Sequence, residues 1–559
     1  MGLVRIAAAT WALPVAWTLW FAQRRAVGRD AVLELTLEPN GDIRERDQFV
    51  RRLRRVGEDP TIAALVLRFG ESPGGWAAAQ DLRDAIRSLR AAGKRVYAVL
   101  EAPGNAVAWV ASAADRVFMV PTGEYGLVGV GVELTFFGAA LGRLGIKPDF
   151  EAAGAYKSFG ETFTRSYASP ENHEAVRDLV DDLHAQLVAG IAEGRGKSED
   201  DVRALLARAP LSAEEAREAG LVDATAYEDE LLDWLKEQHG AKTKLVPFSR
   251  WALIDAARER FARLGRTGTV ITVLHLQGPI ALEDRSGGPS IGARKVVPLL
   301  TRLREDERVG AVVLHVDSPG GSALASDLIW REVELLRKRK VVVASFENVS
   351  ASGGFYLSAP AQAIFVRAAT LTGSIGVFGG KLVMGEGLRR VGVHTQEVLG
   401  APNANLFSAS RPFHPDQRVR FRASLQRFYD GFVGRVAAGR GKEVAELEPH
   451  CRGRVWTGRA ALERSLVDAQ GDLSDAIARA RDLAGLAERP FVRRDWIGHE
   501  RPLVGRLMSG LVRQLSPFSS RASVWVERWL AMPGVALAEI ALDHPNEPLA
   551  MLPFDIRVR

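Results

Sequence analysis

The amino-acid sequence predicts an α/β protein that contains two tandem copies of one domain. A pattern of apolar strand, glycine turn, helix and second strand occurs twice, about 246 residues apart. The apolar runs 63–69 and 311–316 each lead into a turn that contains Ser-Pro-Gly-Gly. Apolar residues at helical spacing follow in both copies, and each copy then has another strand, at 95–100 and 341–346. This order is typical of a βαβ unit, whose two strands are parallel.

The internal duplication covers whole domains rather than one motif. Further along the chain, Ala192-Glu-Gly-Arg-Gly-Lys197 matches Ala437-Ala-Gly-Arg-Gly-Lys442. Apolar residues near 524–530 predict one helix close to the C-terminus, in a region without a counterpart in the first copy. The predicted organisation is a membrane anchor at 1–29, a first repeat domain at 30–239, a linker helix at 240–268, a second repeat domain at 269–487 and a C-terminal extension at 488–559.

The N-terminal segment predicts an uncleaved membrane anchor helix. Residues 6–22 carry no charge, whereas Arg5 precedes them and Arg24 and Arg25 follow. A helix of these 17 residues would span about 26 Å, which is short for a hydrocarbon core of about 30 Å. A cleaved signal peptide lacks its small-residue cleavage site here, and a helix lying in the membrane surface stays open. Charge counting alone would leave the body in the cytoplasm.

The composition is that of an ordinary globular protein. Hydrophobic residues make up 47% and charged residues 25% of the chain, which excludes disorder and collagen. The excess of 74 basic over 68 acidic residues gives +6, too little over 559 residues to predict nucleic-acid binding. Cys451 is the only cysteine, so no intrachain disulfide can form. The histidines lack ligand spacing and there is no phosphate-binding loop, so neither metal nor cofactor is expected.

The two copies differ at positions that could carry chemistry. The second copy has Ser352 in Ser-Ala-Ser-Gly-Gly where the first copy has Ala106. Conversely, the first copy has Lys157 in Tyr-Lys-Ser where the second copy has Asn403 or Ala404. One copy therefore offers a serine without a lysine and the other a lysine without a serine, which predicts one composite site.

A serine and a lysine in one site predict nucleophilic catalysis. A serine hydroxyl is a poor nucleophile until a base takes its proton, and a lysine is a base only when its amine is neutral. Burial favours the neutral amine, because desolvation lowers a lysine pKa. We expect Gly320 and Gly353 to supply backbone N–H groups to the developing oxyanion, since glycines allow close backbone approach.

Several stretches resemble the signal peptide peptidase A family in its long form, a group of membrane-anchored bacterial serine proteases. That family belongs to the wider Clp-protease/crotonase fold, so the resemblance implies two tandem ββα-repeat domains of that fold. The resemblance covers about residues 30–485. It rests on the pieces Asp317-Ser-Pro-Gly-Gly321, Ser350-Ala-Ser-Gly-Gly-Phe-Tyr356, Leu371-Thr-Gly-Ser-Ile-Gly376, Val393-His-Thr395 and Val455-Trp-Thr-Gly458.

The resemblance implies a role for each candidate site residue. Ser352 would be the nucleophile, Lys157 the general base, and Ser374 the group that orients the lysine amine. It further implies a homotetramer anchored in the bacterial inner membrane, with an extracytoplasmic catalytic body. The implied substrates are remnant signal peptides and other short apolar peptides.

Three alternatives compete with this interpretation. A histidine-based triad would need a histidine shortly after the nucleophile, and the next one is His394, which we expect to be structural and in a strand. A crotonase-like acyl-thioester enzyme would use the same fold but leave Ser352 and Lys157 unexplained. A non-catalytic membrane scaffold would make the serine and lysine coincidental.

Overall fold

The computed structural model describes residues 28–37, 42–70, 74–263, 268–284, 288–497 and 549–551. The charge-free segment 6–22 and the helix predicted near 524–530 therefore lie outside the described residues. Of the helices that are described, none has the length and apolar character needed to cross a membrane.

The first copy alternates strands and helices up to residue 263. Its strands are β1 (Ala31–Leu37), β2 (Ile62–Phe69), β3 (Arg95–Leu100), β4 (Arg116–Met119), β5 (Glu124–Tyr125), β6 (Lys147–Ala153), β7 (Leu211–Ser212), β8 (Ala224–Thr225) and β9 (Leu245–Pro247). Its helices are α1 (Ile43–Glu58), α2 (Trp76–Ala91), α3 (Asn105–Ala111), α4 (Gly138–Arg143), α5 (Glu161–Thr164), α6 (Pro170–Arg195), α7 (Glu199–Leu206), α8 (Ala213–Glu218), α9 (Glu228–His239) and α10 (Phe248–Arg263), with a 3₁₀ turn at Ser158–Gly160.

The second copy repeats this order. Its strands are β10 (Thr269–Gln277), β11 (Ile280–Ala281), β12 (Ile291–Gly292), β13 (Val309–Ser318), β14 (Gly320–Ser322), β15 (Val341–Ala351), β16 (Ala363–Val366), β17 (Leu371–Gly373), β18 (Val377–Val383), β19 (Val455–Thr457), β20 (Ala469–Gln470) and β21 (Phe491–Ile497), and β22 (Leu549–Met551) follows near the C-terminus. Its helices are α11 (Ala293–Glu305), α12 (Ala323–Arg337), α13 (Gly353–Ser358), α14 (Gly385–Arg390), α15 (Pro415–Arg440), α16 (Val444–Leu447), α17 (Gly458–Glu463) and α18 (Leu473–Leu483), with a 3₁₀ turn at Glu448–His450.

Each copy is built around a parallel sheet, as the βαβ pattern predicts. The first sheet has the order β8-β4-β3-β2-β1-β9, and the second contains the matching order β20-β16-β15-β13-β10-β21. Alternate residues of a strand face different layers: Leu65 and Leu67 belong to one apolar cluster, and Ala64 and Val66 to another. Both faces of the sheet are thus buried, which explains the nearly continuous apolar runs in the sequence.

The two matching sheet orders extend the duplication beyond the sequence comparison. Strand β21 pairs with β10 just as β9 pairs with β1. Residues 491–497 therefore occupy the same place in their sheet as Leu245–Pro247, although the sequence comparison ends the second copy at 487. Helix α10 follows β9, and its Phe248 and Trp251 are buried in the core of the first copy.

A third sheet joins the two copies. Strand β18 of the second copy pairs antiparallel with β6 of the first over seven residues, from Val377 opposite Ala153 to Val383 opposite Lys147. The sheet has the order β12-β11-β14-β22-β18-β6. The predicted glycine turn of the second copy is thus partly a short strand, β14.

Charged and polar side chains also connect the copies. Arg46 on α1 contacts Asp317 at 2.7 Å and Glu347 at 3.1 Å, both in the second copy. The side-chain oxygen of Asn348 accepts a hydrogen bond from the backbone N–H of Ala78 at 3.1 Å. These contacts fix the first copy against the ends of strands β13 and β15, where the candidate site lies.

The long helix α15 crosses closely over the short helix α13 that follows Ser352. A Cβ atom on Gly439 would lie only 2.0 Å from the backbone oxygen of Ala359, at the end of α13. A glycine at this crossing therefore lets α15 approach α13.

We expect Gly439→Ala to lower the free energy of unfolding by about 1–3 kcal/mol, because the added methyl group overlaps backbone that cannot move freely. Gly431→Ala on the same helix is the matched control, since a Cβ there meets nothing within 4 Å. The control should be neutral or stabilising by about 0.5–1 kcal/mol. Thermal melts of the two variants measure the difference, and equal melting temperatures would contradict the close-crossing interpretation.

Candidate active site

Ser352 occupies a sharp turn between strand β15 and helix α13. Its backbone has φ 54° and ψ −113°, a conformation that a residue with a side chain rarely adopts. The Ser352 N–H donates to the carbonyl oxygen of Gly373 at 2.8 Å, and the Ser352 carbonyl accepts from the N–H of Tyr356 at 2.8 Å. A Cβ on Gly354 would lie 3.0 Å from the Ser318 backbone oxygen, so glycine allows the turn to pack closely.

Ser374 reaches the same place through strand pairing. In the parallel ladder of β15 and β17, Ala351 lies opposite Gly373, and the two serines follow these residues directly. Ser374 also has a positive φ, 50°, and its N–H donates to the Arg454 carbonyl oxygen at 2.7 Å. Both serines are completely buried.

Lys157 comes from the first copy and lies between the two serines. It follows strand β6, whose pairing with β18 brings its loop beside Ser374. The Lys157 Nζ is 2.9 Å from Ser352 Oγ, 2.9 Å from Ser374 Oγ and 3.0 Å from the Ser374 carbonyl oxygen. Three residues predicted from the sequence are thus brought together, although Lys157 and Ser352 are 195 positions apart.

The environment of the Lys157 amine favours its neutral form. The side chain is buried, and the oxygens around Nζ belong to uncharged hydroxyl and carbonyl groups. Burial lowers the pKa of Lys157 well below its usual value, because the ammonium form loses hydration. A neutral amine has a lone pair, so it can accept the hydroxyl proton of Ser352.

Comparison with known proteins identifies the family. The family model of peptidase family S49 matches residues 88–242 and 334–487, one region in each copy. The chain belongs to peptidase family S49. It is therefore a serine protease, and this membership decides against the acyl-thioester enzyme and the scaffold.

Relatives of this S49 peptidase bear names from the predicted family. The chain is 32% identical over 451 residues to the chloroplastic serine protease SPPA of Arabidopsis thaliana. The aligned region covers 78% of this chain and 66% of that protein. It is 29% identical to Protease 4 of Salmonella typhi, over 79% of this chain and 72% of the relative. These relatives confirm the resemblance to signal peptide peptidase A.

Solved structures of proteases also match parts of the chain. A lysine-to-alanine mutant of the membrane-bound stomatin-specific protease 1510-N, in complex with a substrate peptide, is 14% identical and covers 44% of this chain and 100% of that chain, with a TM-score of 0.27. A ClpP1 mutant from Listeria monocytogenes is 14% identical and covers 37% of this chain and 94% of that chain, with a TM-score of 0.24. Likenesses at this level carry no weight for the site.

The two glycines predicted as oxyanion donors flank the serine turn in this S49 peptidase. Gly353 is the first residue of α13, so its N–H has no acceptor within the helix. Gly320 begins β14 with φ +99°, and its N–H donates to Ser318 Oγ at 3.2 Å. Gly320 must therefore share or exchange that bond to bind an oxyanion.

A segment that the sequence analysis missed holds the lysine loop against the serine loop. The Gly453 N–H donates to the Ile375 carbonyl oxygen at 2.7 Å, and the Tyr156 N–H donates to the Arg452 carbonyl oxygen at 2.8 Å. A Cβ on Gly453 would lie 2.6 Å from the backbone nitrogen of Lys157. The first copy has Arg208 at the equivalent position, so the comparison of the copies held a signal for this glycine.

Strand β22 lies along the site. Met551, Ala550 and Leu549 pair antiparallel with Gly320, Gly321 and Ser322 of β14. On its other side β22 pairs with β18, where Leu549 is opposite Phe378. The gap between β14 and β18 therefore accepts an extended backbone.

His394 is not part of this arrangement. It is exposed and lies outside regular secondary structure, so the predicted strand at this position is wrong. The residues around it, 393–399, pair with no strand in the described part of the chain.

Other polar clusters lie at the junction of the copies. A cavity of about 520 Å³ is lined by Arg46, His315 and Glu347 among others, but not by the two serines or Lys157. Burial opposes ionisation of Glu347, yet the hydrogen bond from His315 and the charge of Arg46 hold the pKa of this carboxyl below its usual value. Glu347 is thus paired with both Arg46 and His315 in the cavity wall.

One cluster in the described ranges has the spacing of metal ligands. It consists of Asp47, His275 and Asp495. Both carboxylates already form ion pairs with the Arg493 guanidinium. The Asp495 carboxylate lies 2.7 Å from it. A cation placed here would be repelled by Arg493, so the cluster fits an ion-pair network better than a metal site.

Proposed function

We propose that this S49 peptidase is a membrane-anchored serine endopeptidase with a Ser-Lys dyad, in which Ser352 is the nucleophile and Lys157 the general base. The observation that carries the proposal is the 2.9 Å separation of Lys157 Nζ and Ser352 Oγ, with the amine buried among neutral oxygens. A nucleophile and a base within hydrogen-bond distance are the minimum arrangement for covalent catalysis.

In the first step Ser352 Oγ attacks the carbonyl carbon of the scissile peptide bond. Lys157 Nζ takes the hydroxyl proton as the Oγ–C bond forms, and the carbonyl electrons move onto oxygen. The resulting Lys157 ammonium then gives this proton to the leaving amine as the C–N bond breaks. Ser374 Oγ and its carbonyl oxygen, at 2.9 and 3.0 Å from Nζ, orient the amine and stabilise the transient charge.

The oxyanion is stabilised by the backbone N–H groups of Gly353 and Gly320. Each such donor is worth about 2.7–4 kcal/mol of the barrier in serine proteases. In the second half of the reaction water attacks the acyl ester while Lys157 takes its proton. Lys157 then gives this proton to Ser352 Oγ as the ester C–O bond breaks, which releases the acid product and restores the serine hydroxyl. The reaction needs no metal or cofactor, because the lysine moves every proton.

We expect Ser352→Ala and Lys157→Ala each to lower kcat by about 10²–10⁴-fold or more, since general bases contribute at least this much. The assay is hydrolysis of a fluorogenic apolar peptide by the detergent-solubilised protein. Ser350→Ala is the matched control, because Ser350 is also buried and lies two residues before the nucleophile. Loss of activity in Ser350→Ala with retention in Ser352→Ala would overturn the assignment.

The pH profile of the same reaction tests the lysine separately. Only the neutral amine accepts a proton, and burial lowers the pKa of Lys157. The value of kcat/KM should therefore be low in acid, rise through this lowered pKa, and level off below about pH 10.4, where an exposed lysine titrates. A flat profile between about pH 5 and 10, with chemistry rate-limiting, would exclude Lys157 as the base.

The substrates proposed are remnant signal peptides and other short apolar peptides at the bacterial inner membrane. The resemblance to signal peptide peptidases supports this class, and the extended gap between β14 and β18 suits an unfolded peptide. The charge-free residues 6–22 support a single N-terminal anchor, with the catalytic body extracytoplasmic.

Deletion of residues 1–29 should move the protein from the carbonate-resistant membrane fraction to the supernatant without loss of activity on a soluble peptide. Immunoblots of the two fractions measure the change. If the shortened protein stays in the membrane fraction, another part of the chain holds it there and the single-anchor proposal fails.

The chain also forms a homo-oligomer in this proposal, and the internal duplication supports a particular interface. Helices α4 and α14 are equivalent: each has six residues and begins with glycine. Segment 130–136 of the first copy is then the counterpart of β18, and segment 394–399 of the second copy is the counterpart of β6. Strands β18 and β6 pair with each other inside the chain. Neither segment has a strand partner among the described residues. They can complete the same pairing between two chains.

Exposed apolar side chains mark this interface. Val398 is 93% exposed and Val391 is 76% exposed, and both flank or lie in the second segment. At such an interface Ala106 takes the place of Ser352, and Asn403 or Ala404 that of Lys157. A closed ring of chains would thus contain two kinds of contact between copies. The contacts within a chain would carry the serine and the lysine, and the contacts between chains would carry neither. The resemblance implies four chains in the ring.

Val398→Asp should dissociate the oligomer, since it places a charge in the proposed ladder between chains. The molar mass is measured by size exclusion with light scattering. Leu253→Asp is the control, because Leu253 is 74% exposed but lies on α10, away from both segments in sequence. A monomeric wild type, or identical masses for wild type and Val398→Asp, would contradict the interface.

A further inference from the structure

The C-terminal strand β22 lies where a peptide substrate would have to bind. One of its neighbours, β14, begins at Gly320, and the other, β18, begins three residues after Ser374. We infer that the chain's own segment around Leu549–Met551 occupies the peptide groove and competes with substrate. This inference rests on the proposed function, because it assigns the same groove to peptide substrates.

The pairing of β22 resembles that of a bound peptide, because an extended segment lies between two strands. The strand has only three residues, Leu549–Met551, and backbone pairing on both sides holds it between β14 and β18. Adding an extended segment to open strand edges is a common mode of peptide recognition, in which main-chain hydrogen bonds supply affinity. Residues 549–551 lie outside the regions that the family model matches.

The register places the segment at the catalytic atoms. Met551 lies opposite Gly320, the proposed oxyanion donor. A substrate presents its scissile carbonyl to that donor, so β22 takes the position of the residues just before a cleavable bond. Ser352 has no solvent exposure in this arrangement. A peptide must therefore open the groove before it can reach Oγ.

The sequence of the segment has the chemistry expected of a substrate. Residues 549–552 are Leu-Ala-Met-Leu, without charge, and Pro548 and Pro553 bound them on both sides. Prolines lack the N–H that a ladder needs, so the paired stretch cannot extend past either of them. A short apolar segment of this kind binds weakly enough for substrate to displace it.

The tether makes weak binding sufficient for inhibition. The 51 residues 498–548 connect β21 to β22. A link within one chain converts binding into an intramolecular event, whose effective concentration is at most about 1 mM. A segment with an intrinsic dissociation constant near 0.1–0.3 mM would then raise the apparent KM by about 4–10-fold at that effective concentration. The kcat is unchanged, because the segment has left the groove whenever substrate is bound.

Two truncations separate the segment from the rest of the tail. A chain that ends at Pro548 lacks β22, whereas a chain that ends at Met551 keeps it and lacks only residues 552–559. With a fluorogenic apolar peptide, we expect the first to show a KM about 4–10-fold lower than the full chain at equal kcat. The second should match the full chain. In the full-length protein, Ala550→Pro should act like the first truncation, because proline is poorly tolerated in a strand that is paired on both sides.

A synthetic peptide of residues 548–553 should inhibit the chain that ends at Pro548, competitively with substrate. An unchanged KM in that chain, or an equal decrease in both truncations, would overturn the inference. Hydrogen exchange of the Gly320–Ser322 amides in the Ser352→Ala background gives a readout that needs no catalysis. These amides should exchange faster without β22, so an inactive wild type with this difference would refute the proposed function and leave the occupancy intact.

Discussion

The antiparallel ladder between β6 and β18 is the constraint on which the site depends. It pairs seven residues of each copy, from Val377 opposite Ala153 to Val383 opposite Lys147. Lys157 follows one end of this ladder by four residues, and Ser374 precedes the same end by three. A slip of one residue would shift the lysine loop by about 3.4 Å and turn each side chain of the strand to the other face.

A second ladder fixes the serines against each other. Ala351 lies opposite Gly373 in two parallel strands, so the backbone pairing alone places Ser352 beside Ser374. The three polar side chains then meet because two sheets, one within the second copy and one shared by both, share the loop around residue 375. The Lys157 amine can be buried without a carboxylate partner since three oxygens, at 2.9–3.0 Å, satisfy it.

How much of this arrangement the sequence predicts depends on the range of the interactions. The βαβ units follow from local apolar patterns, and the observed strands Arg95–Leu100 and Val341–Ala351 begin where those patterns begin. The pair Ser352 and Lys157 was found because the two copies could be compared position by position. The third sheet could not be predicted, because it consists largely of strands of two or three residues whose partners are distant in sequence. Gly453 was missed for a related reason: it acts by allowing backbone to approach Lys157, and it carries no reactive group.

Charges at the junction of the copies show a further limit of local patterns. Asp317 belongs to the glycine-turn motif in the sequence, and burial raises the pKa of its carboxyl. In the structure it is held by Arg46 from the other copy at 2.7 Å and accepts from the Val349 N–H at 3.1 Å. Removing one partner of such a partly buried pair leaves an uncompensated charge, which is more destabilising than never having formed the pair. The motif thus also serves to hold the two copies in one orientation.

Backbone strain is concentrated at the site and absent from its counterpart. In the described ranges five residues other than glycine have a positive φ, and three of them are Ser352, Ser374 and Arg452. Such conformations cost about 1–3 kcal/mol each and persist where surrounding structure enforces them. The equivalent of Ser352 in the first copy, Ala106, lies inside helix α3 and is not among the strained residues. The first copy lacks the serine and also the strained turn that would present one. Duplication therefore left the chain with a strained site that is built from the serine turn of one copy and the lysine loop of the other.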